Sequence, residues 1–423
     1  MLTAAVVGAV LVLGYAATAA ALGRLNVSAP LAFVVAGSVL GFAGDPRSAQ
    51  DVVWIRAVAD GTLALILFHD ATRASPRELR AASGLVLRLL LVGWPLAVLA
   101  HFLTARVAFP DQPVMLSLFV AAALAPTDAG LGAPTLLNPA VPVRIRAVLN
   151  AESGFNDGLA TPVALFAIAA LAGSGSGRPA ASTMDALGEL AVGCASGAVV
   201  GVAGAVVLGW SRRHGASTPS GRSLGLLSLP ILSFGGAEML HGNGFVAAFV
   251  AGLAFAAAAG WLRKEESVLR LTEGAGELLG SGTWLVFGLV AVPQLWRAVG
   301  WREVFFALLS LTVLRMVPVA LSLARSGLQP ATVAYLGWSG PRGLATVVFT
   351  LLAVESLQLD GVTRRALLAV ALTVLLSVVA HGVTAEPLAR RYGRWVQLRR
   401  PALETGVAAE PRPRGTLARR GRR

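Results

Sequence analysis

Charge is scarce in this chain. Of its 423 residues, 13% are charged and 56% are hydrophobic, whereas a soluble domain carries about 25% charged residues. The composition therefore excludes an ordinary soluble protein and predicts an integral membrane protein with most of its length in the bilayer. Cysteine is almost absent too. Cys194 is the only one, which excludes a disulfide framework and a thiolate metal site.

Lysine is nearly missing, since Lys264 is the only one. The chain carries a formal net charge of +13, and its other positively charged residues are arginines. These arginines lie mostly in short loops and in the C-terminal tail, a distribution that argues against binding of nucleic acid. The sequence also lacks an HExxH motif and any Cys/His cluster, so an intramembrane metal-dependent enzyme is not expected. We expect no cofactor.

Apolar runs fill most of the sequence, and about 20 such residues suffice for a helix to cross a bilayer. The pattern predicts an all-α membrane protein with about thirteen transmembrane helices. We expect residues 1–387 to form the membrane domain. Residues 388–423 are basic and contain Pro and Gly, which predicts a disordered cytoplasmic tail or one that lies on anionic lipid. The predicted spans are residues 3–22, 29–44, 54–70, 84–106, 113–138, 147–172, 186–210, 223–240, 243–260, 276–296, 303–324, 331–354 and 365–386.

Arginine and lysine also predict the orientation, because loops on the cytoplasmic side carry an excess of them. With the N-terminus outside, 24 of these residues fall on the cytoplasmic side, including the tail, and seven fall outside. Four more lie near or within spans: Arg56, Arg88, Arg315 and Arg342. The bias predicts a multi-pass protein of the cell membrane with an external N-terminus and a cytoplasmic C-terminus.

Two predicted spans are interrupted by Pro and Gly together with a charge. Span 5 contains Ala125-Pro126-Thr127-Asp128-Ala129-Gly130, and span 12 contains Ser339-Gly340-Pro341-Arg342-Gly343. Free backbone groups at mid-membrane are tolerated only where they are buried in protein or line a cavity. The two spans are seven apart and so run in opposite directions. Paired broken helices in two inverted repeats are typical of a transporter binding site.

Five charged residues are predicted to lie in one layer of the membrane. At 1.5 Å per helical residue, Asp128, Glu152, Asp157, Arg315 and Arg342 fall about 9–17 Å from the cytoplasmic side. A charge at that depth is expensive and indicates a functional site. Asp157 is therefore expected to carry the transported ion, although a buried ion pair with an arginine would also explain it.

Oxygen-bearing side chains surround the predicted position of Asp157. Ser153 and Thr161 share its helix face, because residues four apart lie above one another, and Thr127 and Asp128 of span 5 can add further oxygens. Hard cations prefer oxygen ligands. We therefore expect a transient site for a monovalent cation with Asp157 and Asp128 as its charged ligands. Proton and cation would compete for one carboxylate, which suffices for exchange.

Glu152 and Asn156 form the neighbouring face of span 6 and are expected to brace the site rather than to transport. Gly154 and Gly158 form a small-xxx-small pair, which predicts that another helix approaches span 6 closely.

These motifs together resemble those of the sodium/hydrogen exchanger family, in its electroneutral branch of monovalent cation:proton antiporters. The resemblance rests on Glu152-Ser153-x-x-Asn156-Asp157 in span 6, Thr127-Asp128 in span 5, Arg315 in span 11 and Gly340-Pro341-Arg342-Gly343 in span 12. It covers the whole predicted membrane domain.

The resemblance implies a thirteen-span inverted-repeat fold, a homodimer, and an elevator-like movement of a core against a dimerisation part. It implies that Asp157 carries cation and proton in turn. It also implies that Glu152 and Asn156 are held by an arginine, with Arg315 as the first choice and Arg342 as the second. The electrogenic branch has a second Asp where Asn156 stands, so one titrating acid suggests one cation per proton.

Two departures from the family pattern are visible. Ala129 stands where the family often has Pro, and Phe68-His69-Asp70-Ala71 stands where it often has Phe-acid-Gly-Gly. Ion preference or pH dependence is expected to differ accordingly. His69, beside Asp70, is a candidate pH sensor because histidine titrates near neutrality, or it ends its helix at the cytoplasmic face.

The sequence thus predicts secondary active exchange of Na⁺ (or K⁺ or Li⁺) for H⁺ by alternating access, in the service of pH homeostasis. One alternative stays open. A channel or a cation-coupled symporter of a small organic anion could use a similar fold, and Arg342 at its broken helix would then meet a substrate carboxylate. A large polar cavity would favour this alternative.

Overall fold

A computed structural model of the chain describes residues 2–24, 27–43, 49–73, 83–175, 183–357 and 359–405. Within these ranges all regular secondary structure is helical, which confirms the predicted all-α class. The helices are α1 Leu2–Arg24, α2 Ala29–Ala43, α3 Ala49–Arg73, α4 Ser83–Arg88, α5 Trp94–Ala108, α6 Val114–Leu124, α7 Ala133–Leu137, α8 Val143–Gly175, α9 Thr183–Arg213, α10 Pro219–Met239, α11 Gly244–Ala258, α12 Arg270–Ala298, α13 Trp301–Leu311, α14 Val313–Ser322, α15 Pro330–Trp338, α16 Leu344–Ser356 and α17 Gly361–Arg399.

Short helical turns link some of these elements. A π-helical turn, Leu89–Gly93, joins α4 to α5 without a break. Two 3-10 turns, Gly260–Lys264 and Glu266–Leu269, connect α11 to α12. Grouped by the predicted spans that they overlap, the seventeen described helices correspond to thirteen spans, because α4–α5, α6–α7, α13–α14 and α15–α16 each fall within one predicted span. By length and composition, seven of the described helical stretches can cross a membrane, and the number of actual crossings stays a prediction.

Both predicted interruptions are present. The chain leaves α6 after Leu124 and resumes helical structure only at Ala133, and it leaves α15 after Trp338 and resumes at Leu344. Pro126 and Pro341 lie in these gaps, and proline lacks the N–H that a continuing helix would need.

Small residues let two pairs of helices approach closely: α9 with α11, and α2 with α12. A Cβ on Gly197 of α9 would contact the backbone of Ala247 in α11, and Gly288 of α12 lies equally close to Val34 of α2. The two glycines of the predicted close-packing pair on α8 face different helices. Gly158 lies directly against the ring of Phe249 in α11, and Gly154 faces the backbone of Asp70 in α3.

The predicted boundary at residue 387 requires a correction. Pro387 lies inside α17, which continues to Arg399. Tyr392 and Val396 are buried because they lie one helical turn apart on the face that packs against the core. The chain after the helix is packed as far as Glu404, which is 1% exposed. The rest of the predicted tail, residues 406–423, lies outside the described residues.

Candidate functional site

The two interrupted segments bond to each other at their breaks. The backbone N–H of Asp128 donates to Pro341 O at 2.9 Å, and the Asp128 Oδ2 atom accepts the Leu344 N–H at 2.7 Å. Its Oδ1 atom accepts the N–H groups of Gly130 and Leu131 at 2.5 and 3.2 Å. An acid of the first segment thus caps the N-terminus of α16, where N–H groups lack helical partners and the helix dipole favours negative charge.

Arg342 donates hydrogen bonds to carbonyl groups at the C-terminal ends of helices. Its side chain is fully buried, and its Nη1 atom donates to Pro126 O and Gly340 O at 3.2 and 3.3 Å. Its Nη2 atom donates to Ser310 O at 3.3 Å. These carbonyls lie at or just beyond the C-terminal ends of α6, α15 and α13, where a cation is favoured. Arg342 forms no ion pair with any described residue.

Asp157 lies in the middle of α8 and is 5% exposed. Its backbone carbonyl accepts a hydrogen bond from the Thr161 hydroxyl at 2.7 Å. Its carboxylate, in contrast, accepts no hydrogen bond and forms no ion pair among the residues that the structure describes. The interpretation of Asp157 as half of a structural ion pair therefore finds no partner in the described part of the chain. A buried carboxylate without compensation is costly, and binding of a proton or a cation relieves that cost.

A cluster of three polar side chains joins α8 to the first break. The hydroxyls of Thr127 and Ser153 lie 2.9 Å apart, and Asn156 Nδ2 donates to Thr127 Oγ1 at 2.9 Å. The Asn156 Oδ1 atom is buried and accepts no hydrogen bond within the described ranges. The cluster places two side-chain oxygens, those of Ser153 and Asn156, on α8 within two turns of Asp157, and that of Thr127 beside them.

Glu152 pairs with Arg315, the first of the two arginines that the resemblance implied. Nη1 and Nη2 of Arg315 donate to Oε1 and Oε2 of Glu152 at 2.6 and 2.9 Å. Both side chains are buried, and the bidentate arrangement fixes the orientation of both groups. The pair ties α8 to α14 one residue before Ser153.

A third break, which the sequence did not predict, lies beside this pair. Helix α13 ends at Leu311 and α14 begins at Val313, with Thr312 between them at φ −113° and ψ −88°. The segment corresponding to predicted span 11 is therefore two helices. Neither Pro nor Gly occurs at the junction.

His69 and Asp70 lie within α3 rather than at its end. Both are buried, and α3 continues past them to Arg73, which pairs with Glu273 at 3.1 Å. The expectation that His69 ends its helix is therefore wrong, because α3 continues to Arg73. An accessory or pH-sensing role for these two residues stays a prediction.

A small cavity of about 10 Å³ adjoins the second break, which is room for about one water molecule. Its polar lining comes from Thr135, Ser339 and His381. His381 stacks on Trp338, its Nε2 atom lies 2.9 Å from Trp338 O, and the neighbouring Ser377 Oγ accepts the Arg342 backbone N–H at 2.7 Å. This cavity is far too small for an organic anion.

Comparison with known proteins decides the family. Residues 8–391 match the family described as sodium/hydrogen exchanger, transmembrane. The chain belongs to this family. This exchanger is 26% identical over 388 residues to the Na(+)/H(+) antiporter NhaH of Halobacillus dabanensis, a similarity that covers 86% of this chain and 91% of NhaH.

Its fold is that of a solved antiporter structure. The sodium proton antiporter MjNhaP1 from Methanocaldococcus jannaschii, determined at pH 8, superposes with a TM-score of 0.70 at 19% identity, covering 93% of this chain and 99% of that one. An electron-microscopy structure of the same antiporter gives a TM-score of 0.70 at 18% identity. The predicted family and fold are thus confirmed.

In this exchanger the structure brings together seven of the sequence-predicted residues at or beside the two breaks: Thr127, Asp128, Glu152, Ser153, Asn156, Arg315 and Arg342. Within the described residues, the side chains of Asp157 and Thr161 make no hydrogen bond to this group. Sequence reasoning missed three residues that contact this network: Ser310, Ser377 and His381. Each is a single polar residue in an apolar run, which is more often a helix-packing residue than part of a site. For Ser377 and His381 the pairing of span 13 with span 6 across the inverted repeats was a signal, whereas Ser310 in span 11 had none.

Proposed function

We propose that this exchanger moves one monovalent cation, Na⁺ or alternatively K⁺ or Li⁺, against one H⁺ by alternating access, with Asp157 binding the two ions in turn. The observation that carries the proposal is the buried Asp157 carboxylate with no hydrogen bond or ion pair among the described residues. Family membership and the antiporter fold support exchange of a cation for a proton.

The oxygens that would coordinate the cation lie on α8 and at the first break. Ser153 and Thr127 each carry a hydroxyl oxygen within the polar cluster, and the Thr161 hydroxyl lies one turn after Asp157. Oxygen ligands suit a hard cation. The Asp128 carboxylate already accepts three backbone N–H groups, so its part in coordination is a secondary contribution to this proposal.

Electroneutral exchange follows from the residue beside Asp157. Asn156 cannot titrate, and its amide bonds Thr127, so one carboxylate alternates between one proton and one cation. Glu152 is neutralised by Arg315 and does not enter the count of transported charge.

We further propose that the exchanger is a homodimer in the cell membrane, with its N-terminus outside and its C-terminus cytoplasmic. The orientation rests on the distribution of arginine in the loops.

The alternative, symport of an organic anion, needs an accessible Arg342. That guanidinium is fully buried and donates to three backbone carbonyls, and the cavity at its break holds about one water. Neither observation favours a substrate carboxylate, so exchange is the better proposal.

Everted membrane vesicles that hold a proton gradient test the function directly. Added Na⁺ or K⁺ should collapse the gradient in the wild type and in Asp111→Asn, which alters an exposed loop acid, but not in Asp157→Asn. Exchange by the Asp157→Asn variant would disprove the role given to Asp157. A rate that changes strongly with membrane potential would disprove the one-to-one stoichiometry.

A further inference from the structure

The α13–α14 junction controls two contacts of the transport site at once. The Arg315 N–H bonds Thr312 O at 3.3 Å, so a new helix starts at the junction and presents Arg315 to Glu152. On the other side of the junction, Ser310 O accepts the Arg342 guanidinium at 3.3 Å. Any shift of Ser310 would therefore move both site arginines relative to their partners.

His101 of α5 holds Ser310 in place. Its Nε2 atom lies 2.8 Å from Ser310 Oγ, and its Nδ1 atom lies 2.7 Å from Ala97 O. A carbonyl oxygen only accepts hydrogen bonds, so Nδ1 carries the ring proton. In the neutral ring Nε2 is then the acceptor, and the Ser310 hydroxyl donates to it.

This contact bridges two helices in a fully buried environment. His101 and Ser310 are both 0% exposed, so each is the other's hydrogen-bond partner without contact to solvent. A buried polar group left without a partner carries its full desolvation penalty. Removal of either side chain should therefore weaken the connection between α5 and α13.

We propose that His101 is a positioning residue of the transport site, acting through Ser310 on the α13–α14 junction and thereby on the Glu152–Arg315 pair. The proposal rests on the exchange function proposed above. Glu152 directly precedes Ser153 on α8. A displaced Arg315 therefore shifts Glu152 and with it the contact between the hydroxyls of Ser153 and Thr127. The apparent KM for the cation then rises while the protein stays folded.

Exchange kinetics with Na⁺ in everted vesicles test this, normalised to the folded protein recovered by size-exclusion chromatography. His101→Leu removes both ring nitrogens, and Ser310→Ala removes the donor. Each should raise KM about two- to tenfold, the effect of losing one buried hydrogen bond. The double variant should be no worse than the worse single variant, and His101→Gln, which restores an acceptor, should recover toward the wild type.

Ser322→Ala is the matched control, because Ser322 is a buried serine of α14 whose hydroxyl, among the residues that the structure describes, bonds only Val319 O of its own helix. It should keep the wild-type KM. A wild-type KM in Ser310→Ala would overturn the proposal even if His101→Leu fails to fold. The proposal would also be overturned if the increases in KM of the two single variants multiplied in the double variant.

A second measurement does not depend on transport. If His101 positions Arg315, the losses in melting temperature from His101→Leu and Glu152→Gln will not add, because contacting or linked residues couple. Additive losses would overturn the proposal. Absence of cation exchange by the wild-type protein would instead refute the proposed function, and the melting data would still decide the role of His101.

Discussion

The carboxylate of Asp128 accepts the backbone N–H of Leu344 at 2.7 Å, across the gap between the two interrupted segments. Gly343 makes this approach possible. A Cβ at that position would overlap the Asp128 side chain, although the glycine itself has no positive φ. The glycine of the second break is therefore required by space and not by backbone conformation.

Gly343→Ala should consequently destabilise the protein by about 1–3 kcal/mol, the usual penalty of overpacking a buried site. It should also lower transport, because the cap of α16 must move. Gly382→Ala is the control, since Gly382 lies in the interior of α17 with open space at its Cβ position. There alanine should be neutral or stabilise by up to about 1 kcal/mol. Equal melting temperatures for the two variants would contradict the packing argument.

Loss of one partner of the buried Glu152–Arg315 pair should be severe. Arg315→Leu leaves a buried carboxylate uncompensated, which costs about 3–5 kcal/mol, whereas the double variant Glu152→Gln/Arg315→Leu should recover part of that loss. Thermal unfolding followed by tryptophan fluorescence measures both.

The matched surface pair is Glu386–Arg390, in which Arg390 is 68% exposed. Arg390→Leu should change stability by about 0–1 kcal/mol. If Arg390→Leu and Arg315→Leu lower the melting temperature by the same amount, the buried pair stabilises the fold no more than the surface pair does.

The packed C-terminal segment predicts where truncation becomes harmful. Glu404 Oε1 accepts the Gln329 N–H and the Thr332 hydroxyl, both at 2.9 Å, and so caps α15. Glu404→Ala should lose about 1 kcal/mol, as for other helix caps. A chain that stops after Arg399 should lose at least as much. Indifference to both changes would show that the cap contributes no stability.

A surface cluster predicts a pH dependence. Glu265 accepts from Arg212 at 2.5 Å and from Arg222 at 2.8 Å. The hydrogen bond from Arg212, aided by Arg222, holds the pKa of Glu265 below its ordinary value. A lowered folded-state pKa means that this stabilisation is present above the unfolded pKa of about 4.3 and is lost as pH falls through the folded pKa.

Melting temperatures of the wild type and Glu265→Gln should therefore differ by a constant amount above about pH 5 and converge in more acidic buffer. A gap that widens toward acid would contradict the sign of the shift. High salt should narrow the gap at neutral pH, because the cluster is partly exposed.

Local signals explain what could be predicted from the sequence. The breaks at Pro126 and Pro341 follow from proline chemistry, and the mid-membrane charges of Asp157 and Glu152 have few physical explanations. The choice of Arg315 over Arg342 as partner of Glu152 rested on resemblance and not on spacing.

Other features depend on partners distant in sequence. The junction at Thr312 lies in an apolar run with neither Pro nor Gly at the break itself, and the neighbouring Ser310 bonds Arg342 and His101, which lie on other segments. The C-terminal boundary failed for a different reason. The arginines after Pro387 indicated a solvated tail, while the buried Tyr392 and Val396, four residues apart, continue the packed face of α17.

The uncompensated Asp157 carboxylate has a consequence for uncoupled ion movement across the membrane. Combined with a proton or with one cation, this group is electrically neutral and can pass through a low-dielectric environment cheaply. Bare, it is a lone buried charge, and the energy of such a charge rises steeply as water is excluded. Under the mechanism that we propose, the empty carrier is then the species that cannot reorient. Cation and proton would therefore cross only in exchange for each other, without a separate gate against uncoupled flow.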